Sequence, residues 1–195
     1  TLSEQKLLLN FIAITPLTDI ALEKVLIKVR LGFLCLNSES SVPTELLNLQ
    51  SALALHCHVN EYIYPTSAEE KRHLLRLEQE AENILSAGEQ PSPSLILTLA
   101  SYKALLKYDW DGKLMDNDFI REVVKRQIVN GQRESEYKLK IKALGELTDE
   151  TSKMVRKQYE ENPYPRWVQT ALFNRPISVK QLADELHLEL HAPYN

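Results

Sequence analysis

Leucine, isoleucine, valine and phenylalanine return along this chain every three or four residues and almost never in clean alternation. That spacing puts apolar side chains on one stripe of an α-helix, whereas a half-buried strand needs a period of two. Residues 2–14 place Leu2, Leu8, Leu9, Phe11 and Ile12 in a first helix that Pro16 ends. Thr18 or Asp19 can cap a second helix, about 19–37, which is apolar on most of its sides from Ile20 to Leu36. After the polar stretch 37–41, Pro43 and Thr44 open a helix to about Tyr64, with Leu46, Leu47, Leu49, Leu53, Leu55 and Val59 inward and Pro65 as its stop.

The second half follows the same grammar. Ser67-Ala68-Glu69-Glu70 is a capping box, in which Ser67 caps the Glu70 amide and Glu70 reaches back. It opens a helix over 68–87 that closes at Gly88. Residues 94–108 read as a buried apolar helix, and Asn117 or Asp118 caps another that Gly131 stops near Asn130. Polar helices over 132–145 and 149–161 come next, and Ser178 caps a short last helix, Val179–Leu188. The predicted fold is all-α, an irregular multi-helix bundle with a C-terminal extended proline/aromatic peptide and a short final helix. A 34-residue repeat is absent, so a bundle is expected rather than a solenoid. The bundle domain is assigned to residues 1–157, and the linker with its short helix to 158–195.

Composition narrows the function classes. A net charge of −4 over 195 residues offers no overall attraction to nucleic acid or to an anionic membrane. The charge is uneven, at −6 over residues 1–118, +5 over 119–180 and −3 over the last fifteen. The basic stretch could face an acidic partner domain or a phosphate, but a solvated mixed-charge helix face is the favoured reading. Two cysteines, Cys35 and Cys57, stand in apolar helical runs outside any Cys-x-x-Cys pair, which predicts buried free thiols and a reducing, cytoplasmic setting. No apolar run is long enough for a membrane span, and no signal-like start is present.

Motifs for catalysis or metal binding are missing. His56 and His58, at i and i+2, point about 200° apart on a helix and cannot share one ion, so structural roles are expected for both. His187 and His191 have no further ligand at a suitable spacing. No Gly-x-Ser-x-Gly occurs, and the five glycines include no Gly-x-Gly pair. Residues 177–186 resemble the first helix of a helix-turn-helix, but no lysine or arginine follows Lys180 to enter a groove.

One segment stands apart. Residues 158–167 read Gln-Tyr-Glu-Glu-Asn-Pro-Tyr-Pro-Arg-Trp. Pro163 and Pro165 fix their own φ and push Asn162 and Tyr164 toward extended geometry. A stiff peptide of this kind holds Tyr159, Tyr164 and Trp167 ready to stack and Arg166 ready to pair with an anion. The same residues would equally serve as an aromatic plug for the domain's own core.

This segment resembles the peptide that precedes the catalytic domain in a bacterial family of S-adenosylmethionine-dependent methyltransferases, many of which carry tetratricopeptide repeats. The likeness extends through Leu147-Thr148-Asp149-Glu150 and Val155-Arg156-Lys157, with a weaker echo at residues 58–64. The resemblance implies an N-terminal helical module of a class I methyltransferase, not catalytic by itself. Tyr159, Asn162, Tyr164, Arg166 and Trp167 would be its substrate- or domain-docking residues, with the methyltransferase domain as partner in cis. It implies S-adenosylmethionine for the parent protein and no cofactor site in this chain, whose glycines cannot form the phosphate-approaching turn. Self-association through the exposed aromatic peptide is a further expectation. The alternative is a free-standing helical protein-interaction module.

Overall fold

The computed structural model describes residues 4–16, 19–39, 42–110, 112–141, 149–161, 168, 178–185 and 187. The chain is all-α, with no strand among the described residues. The helices are α1 (Lys6–Ile14), α2 (Ile20–Glu39), α3 (Leu47–Val59, entered through a 3-10 turn at Thr44–Leu46), α4 (Ala68–Ser86) and α5 (Pro93–Ala100). A short α6 (Arg121–Val124) runs through a π turn (Lys125–Val129) into α7 (Asn130–Lys140), and α8 (Glu150–Glu161) and α9 (Val179–Glu185) follow.

The middle of the bundle is α3. From Ala52 to Val59 it is buried on every side: Leu53 and Cys57 on one side and Ala52, Leu55 and Val59 on others are all covered, and the polar Gln50, His56 and His58 are buried with them. Helices α1, α2, α5 and α6 pack against it, and α4 lies across α2 and α5. Trp110, between α5 and α6, is 1 % exposed and closes the core from the far side.

Several polar residues inside the bundle tie one helix to another. Gln50 of α3 donates to the Ser94 carbonyl at 2.8 Å and to Thr98 Oγ1 at 2.6 Å on α5, and accepts from the Ser94 hydroxyl at 3.0 Å. Asn37 of α2 donates to Ser94 Oγ and Thr98 Oγ1 at 2.9 and 2.8 Å. Gln127, in the π turn, accepts from the Leu105 amide at 3.0 Å and donates to the Ala54 and Ala100 carbonyls at 3.2 and 3.1 Å. A buried amide left unpaired costs about 1–3 kcal/mol, so these clasps fix helix register as well as adding stability.

Helix ends follow the sequence where their signals are strong. Ser67 and Glu70 form the complete capping box, with Glu70 N to Ser67 Oγ at 3.2 Å and Ser67 N to Glu70 Oε2 at 2.7 Å. Gly88 terminates α4 at φ +78°, and the Glu89 amide returns to the Ile84 carbonyl at 3.0 Å. Ser178 accepts from the Gln181 amide at 3.1 Å and caps α9.

Four expectations are corrected. Gly131 does not stop a helix; the chain stays helical through it, and the Leu106 side chain lies over the space where a Cβ would stand. The apolar stretch expected as a helix over 94–108 is helical only to Ala100, because the chain turns there and caps itself on the Gln127 side chain. The helix expected to run to Tyr64 ends at Val59. Cys35 is exposed rather than buried, since it lies on the outer side of α2.

That outer side also carries Gly32, which is exposed in mid-helix with nothing within 4 Å of a Cβ placed there. Among the described residues no contact requires a glycine at this position. Gly32→Ala is therefore expected to raise the unfolding free energy by about 0.5–1 kcal/mol, the helix-interior cost of glycine. Urea denaturation checks this, and a loss of stability would mean that the α2 backbone is constrained in some other way.

Candidate functional site

The sequence Asn60-Glu61-Tyr62-Ile63-Tyr64, which carries the weaker family echo, forms a sharp elbow at the end of α3. Glu61 and Tyr62 both take left-handed backbone, with φ of +51° and +56°. The Tyr62 amide reaches back to the Cys57 carbonyl at 2.9 Å, closing α3 with a bond that usually goes with glycine at the position held here by Glu61. Two successive non-glycine residues in this region are strained, by an amount on the order of 1–3 kcal/mol each, and persist only where the surroundings hold them.

What holds them is the burial of Tyr64, which the elbow turns back into the bundle. Its hydroxyl lies 2.7 Å from His56 Nε2, and Asn60 Nδ2 lies 2.8 Å from the same nitrogen. His56 Nδ1 faces the Ile12 carbonyl of α1 at 3.1 Å. These partners assign a neutral ring with the proton on Nδ1, donating to Ile12 while Nε2 accepts from Tyr64 and Asn60. Burial holds the imidazole below its usual value, against the raising effect of the Ile12 and Thr15 carbonyls. Burial likewise pushes the Tyr64 hydroxyl up. His58 is buried too, with its ring edge-on to Tyr62.

Beside this cluster lies a charge. Arg30 of α2 is 1 % exposed, with its guanidinium 4.2 Å from the centre of the Tyr102 ring and 5.6 Å from that of Tyr64. Its Nη2 donates to the Pro65 carbonyl at 2.6 Å and stands 3.8 Å from Glu70 Oε1. Tyr102 donates to the same Glu70 oxygen at 2.9 Å. Burial works to raise the Glu70 carboxyl, but bonds from Ser67 and Tyr102 and the Arg30 charge outweigh it, so the group is held below its ordinary value. Burial also pushes the Cys57 thiol up to about 12, against the pull of Arg30. A neutral histidine, an un-ionised thiol and a capped carboxylate, all enclosed, make an architectural cluster rather than a reacting one.

A shallow cleft of about 430 Å³ opens between α4 and residues 103–109, lined by Glu78, Glu82, Lys103, Lys107 and Tyr108 among others. Tyr108 stacks on Trp110 with ring centres 4.2 Å apart and donates to Glu78 at 2.6 Å. Lys103 sits 4.0 Å from the Tyr108 ring centre and 3.2 Å from Glu78. Trp110 Nε1 donates to Glu82 at 3.3 Å. The central groups of the cleft thus satisfy one another.

Of the residues nominated from sequence, Tyr159 sits in the last turn of α8 and is 66 % exposed. Asn162, Tyr164, Arg166 and Trp167 lie outside the described residues. Among the described residues no group of three or more His, Cys, Asp or Glu side chains is placed to hold a metal ion, and no helix is long and apolar enough to cross a membrane. Comparison with protein-family models, curated proteins and solved structures yields no match. The Arg30 cluster was not foreseen: a lone arginine between Val29 and Leu31 gives no sign of which way it points. Asn60 and Tyr64 read from sequence as sharing a helix face at i,i+4, whereas α3 ends at Val59 and the two side chains meet through the elbow.

The neutral state of His56 has a consequence for pH. Its folded-state value lies below the 6.5 of an unfolded histidine, so between the two the unfolded chain binds more protons. The contribution of His56 is complete above 6.5 and is lost as pH falls through that value toward the folded one. His56→Gln is expected to cost about 1–3 kcal/mol near neutrality, the range for a buried hydrogen-bond partner. Urea unfolding from about pH 7.5 down to about pH 5 should show the gap to wild type narrowing, and a gap that widens would contradict the neutral assignment.

Proposed function

We propose that this chain is the helical module ahead of the catalytic domain of a class I S-adenosylmethionine-dependent methyltransferase, and that α8 with the proline/aromatic peptide joins the two. The observation that carries this reading is the state of α8. Every residue from Thr151 to Tyr159 is exposed, including Met154 at 66 %, Val155 at 46 % and Tyr159 at 66 %. A helix of twelve residues that is exposed at every position from Glu150 to Tyr159 is marginal in water, so an apolar stripe on it favours a surface that it covers in the working protein. In sequence the helix is followed by Asn162-Pro163-Tyr164-Pro165-Arg166-Trp167, and two prolines in six residues leave less conformational entropy to lose on docking. In this reading the module positions the catalytic domain or its substrate, and S-adenosylmethionine binds elsewhere in the parent protein.

The alternative, a free-standing helical interaction module, draws support from a different feature, the large apolar side chains left exposed on other helices, such as Leu7 of α1, Ile20 of α2 and Leu139 of α7. The two readings part on the coding sequence beyond Asn195. The proposal expects a strand followed by a Gly-x-Gly turn there, and one-to-one S-adenosylmethionine binding by the longer polypeptide but none by residues 1–195. Titration calorimetry on both proteins tests it. A binding isotherm from residues 1–195 alone would sink the proposal, and so would a longer polypeptide that binds none. Within the shorter chain, Trp167→Ala should cost under about 1 kcal/mol, the range of a surface position, whereas a core plug would cost about 3–5 kcal/mol.

A further inference from the structure

The elbow after α3 is held closed against its own backbone. Glu61 and Tyr62 both stand in left-handed geometry, and that strain is relieved as soon as the segment lets go. Of residues 61–67 only Tyr64 is buried, and Ile63 beside it is 62 % exposed. Tyr64 is therefore the bolt of the elbow. Its hydroxyl is seated 2.7 Å from His56 Nε2, and its ring centre lies 5.6 Å from the guanidinium carbon of Arg30. Arg30 Nη2 secures the next residue by donating to the Pro65 carbonyl at 2.6 Å.

The seat depends on the state of one ring. His56 Nε2 accepts from both Tyr64 and Asn60, so a proton placed on that nitrogen makes it a donor facing two donors. Helix α1 presents the Ile12 and Thr15 carbonyls, the first already taken by Nδ1. Helix α2 brings Arg30, itself answered by Glu70 at 3.8 Å, and Glu23, which is felt at Tyr64 but is not bonded to the ring. The π turn brings Arg126, bonded to the Ala13 carbonyl. Within α3, the Cys57 thiol is un-ionised and His58 faces Tyr62 instead. Among the described residues no carboxylate is bonded to His56, so an imidazolium there would add a second positive charge to the pocket of Arg30.

We propose that the elbow is a proton-triggered latch: a proton taken up from solvent at His56 Nε2 unseats Tyr64, and residues 61–65 swing away from Arg30 while the rest of the bundle stays folded. A buried neutral histidine by itself requires only that acid weaken the whole fold. The strain at Glu61 and Tyr62 is what singles out this segment, because it favours an open elbow before other contacts are lost. The latch stands or falls independently of the methyltransferase reading.

Native-state hydrogen exchange on the whole 195-residue chain tests it, with each rate corrected for the intrinsic rate of its amide. The Tyr62 amide, 2.9 Å from the Cys57 carbonyl, reports the elbow, and the Ser101 amide, 3.1 Å from the Leu97 carbonyl, reports the core. Tyr62 should be the less protected of the two, and low urea should not speed its exchange, as befits an opening that exposes little surface. Between about pH 7.5 and about pH 5.5 its protection should fall several-fold, toward the limit of about tenfold that uptake of one proton sets over that range. His56→Gln should remove this pH dependence. Tyr64→Phe, which keeps the ring against Arg30, should raise the opening about fivefold near pH 7.5, as expected for one lost buried hydrogen bond. Exchange of Tyr62 only together with Ser101, at the same protection and urea sensitivity, would overturn the proposal. So would a separate opening indifferent to pH, a pH dependence that survives in His56→Gln, or a Tyr64→Phe elbow that opens no more than wild type.

Discussion

A guanidinium inside a helical bundle has to be answered by the groups packed around it, because a buried charge left uncompensated is costly. Arg30 of α2 is in that position, and its surroundings are arranged around it. The Pro65 carbonyl, the faces of Tyr64 and Tyr102 and the Glu70 carboxylate come from the α3–α4 elbow, the exit of α5 and the first turn of α4. Each of those elements is placed by the need to answer the same charge. Burying it costs several kcal/mol in desolvation, so the cluster is better seen as fixing one arrangement of helices than as a large source of net stability. The Nε hydrogen has no hydrogen-bond partner among the described residues, which is consistent with a site shaped by packing as much as by hydrogen bonds.

The elbow follows from this. Bringing Tyr64 under Arg30 and onto His56 requires the chain to reverse within four residues of Val59, and left-handed backbone at Glu61 and Tyr62 achieves it. His56 extends the same network to α1 through the Ile12 carbonyl, and Arg126 holds the next carbonyl, Ala13, at 3.0 Å. Two of the carbonyls in the last turn of α1 are thus met by side chains, so the first helix is tied to α3 and to the π turn by polar contacts as well as by Leu9 and Ile12. A bundle with a buried polar frame of this kind is suited to presenting a fixed outer surface, and apolar residues stand uncovered on several of its helices, Leu7 of α1, Leu75 of α4, Leu139 of α7 and Met154 of α8 among them.

Much of the fold was legible because its signals are local. The Ser67–Glu70 box, the Gly88 stop and the Ser178 cap each depend on a few neighbouring residues and stand as expected. What was not legible depends on partners distant in sequence. Gly131 reads as a terminator, yet the helix carries on beneath the Leu106 side chain. The apolar run after Pro93 reads as one long helix, yet the Leu105 amide is taken by Gln127, twenty-two residues on. On α2, apolar residues occupy so many sides that period alone could not choose the inward face, so neither the burial of Arg30 nor the exposure of Cys35 was visible. Of the proline/aromatic peptide nominated from sequence, Tyr159 is seen on an exposed helix end and the rest lies outside the described residues.

The central claim is that Arg30 couples α2 to the exit of α5 through the ring of Tyr102. A double-mutant cycle with Arg30→Met and Tyr102→Leu, read by urea unfolding, isolates that coupling from the loss of packing in each single variant. The account predicts an interaction energy of about 1–3 kcal/mol, the range for contacting residues in one buried network. Additive losses, with a coupling indistinguishable from zero, would show that the guanidinium and the ring are neighbours without being partners, and the frame described here would have to rest on something else.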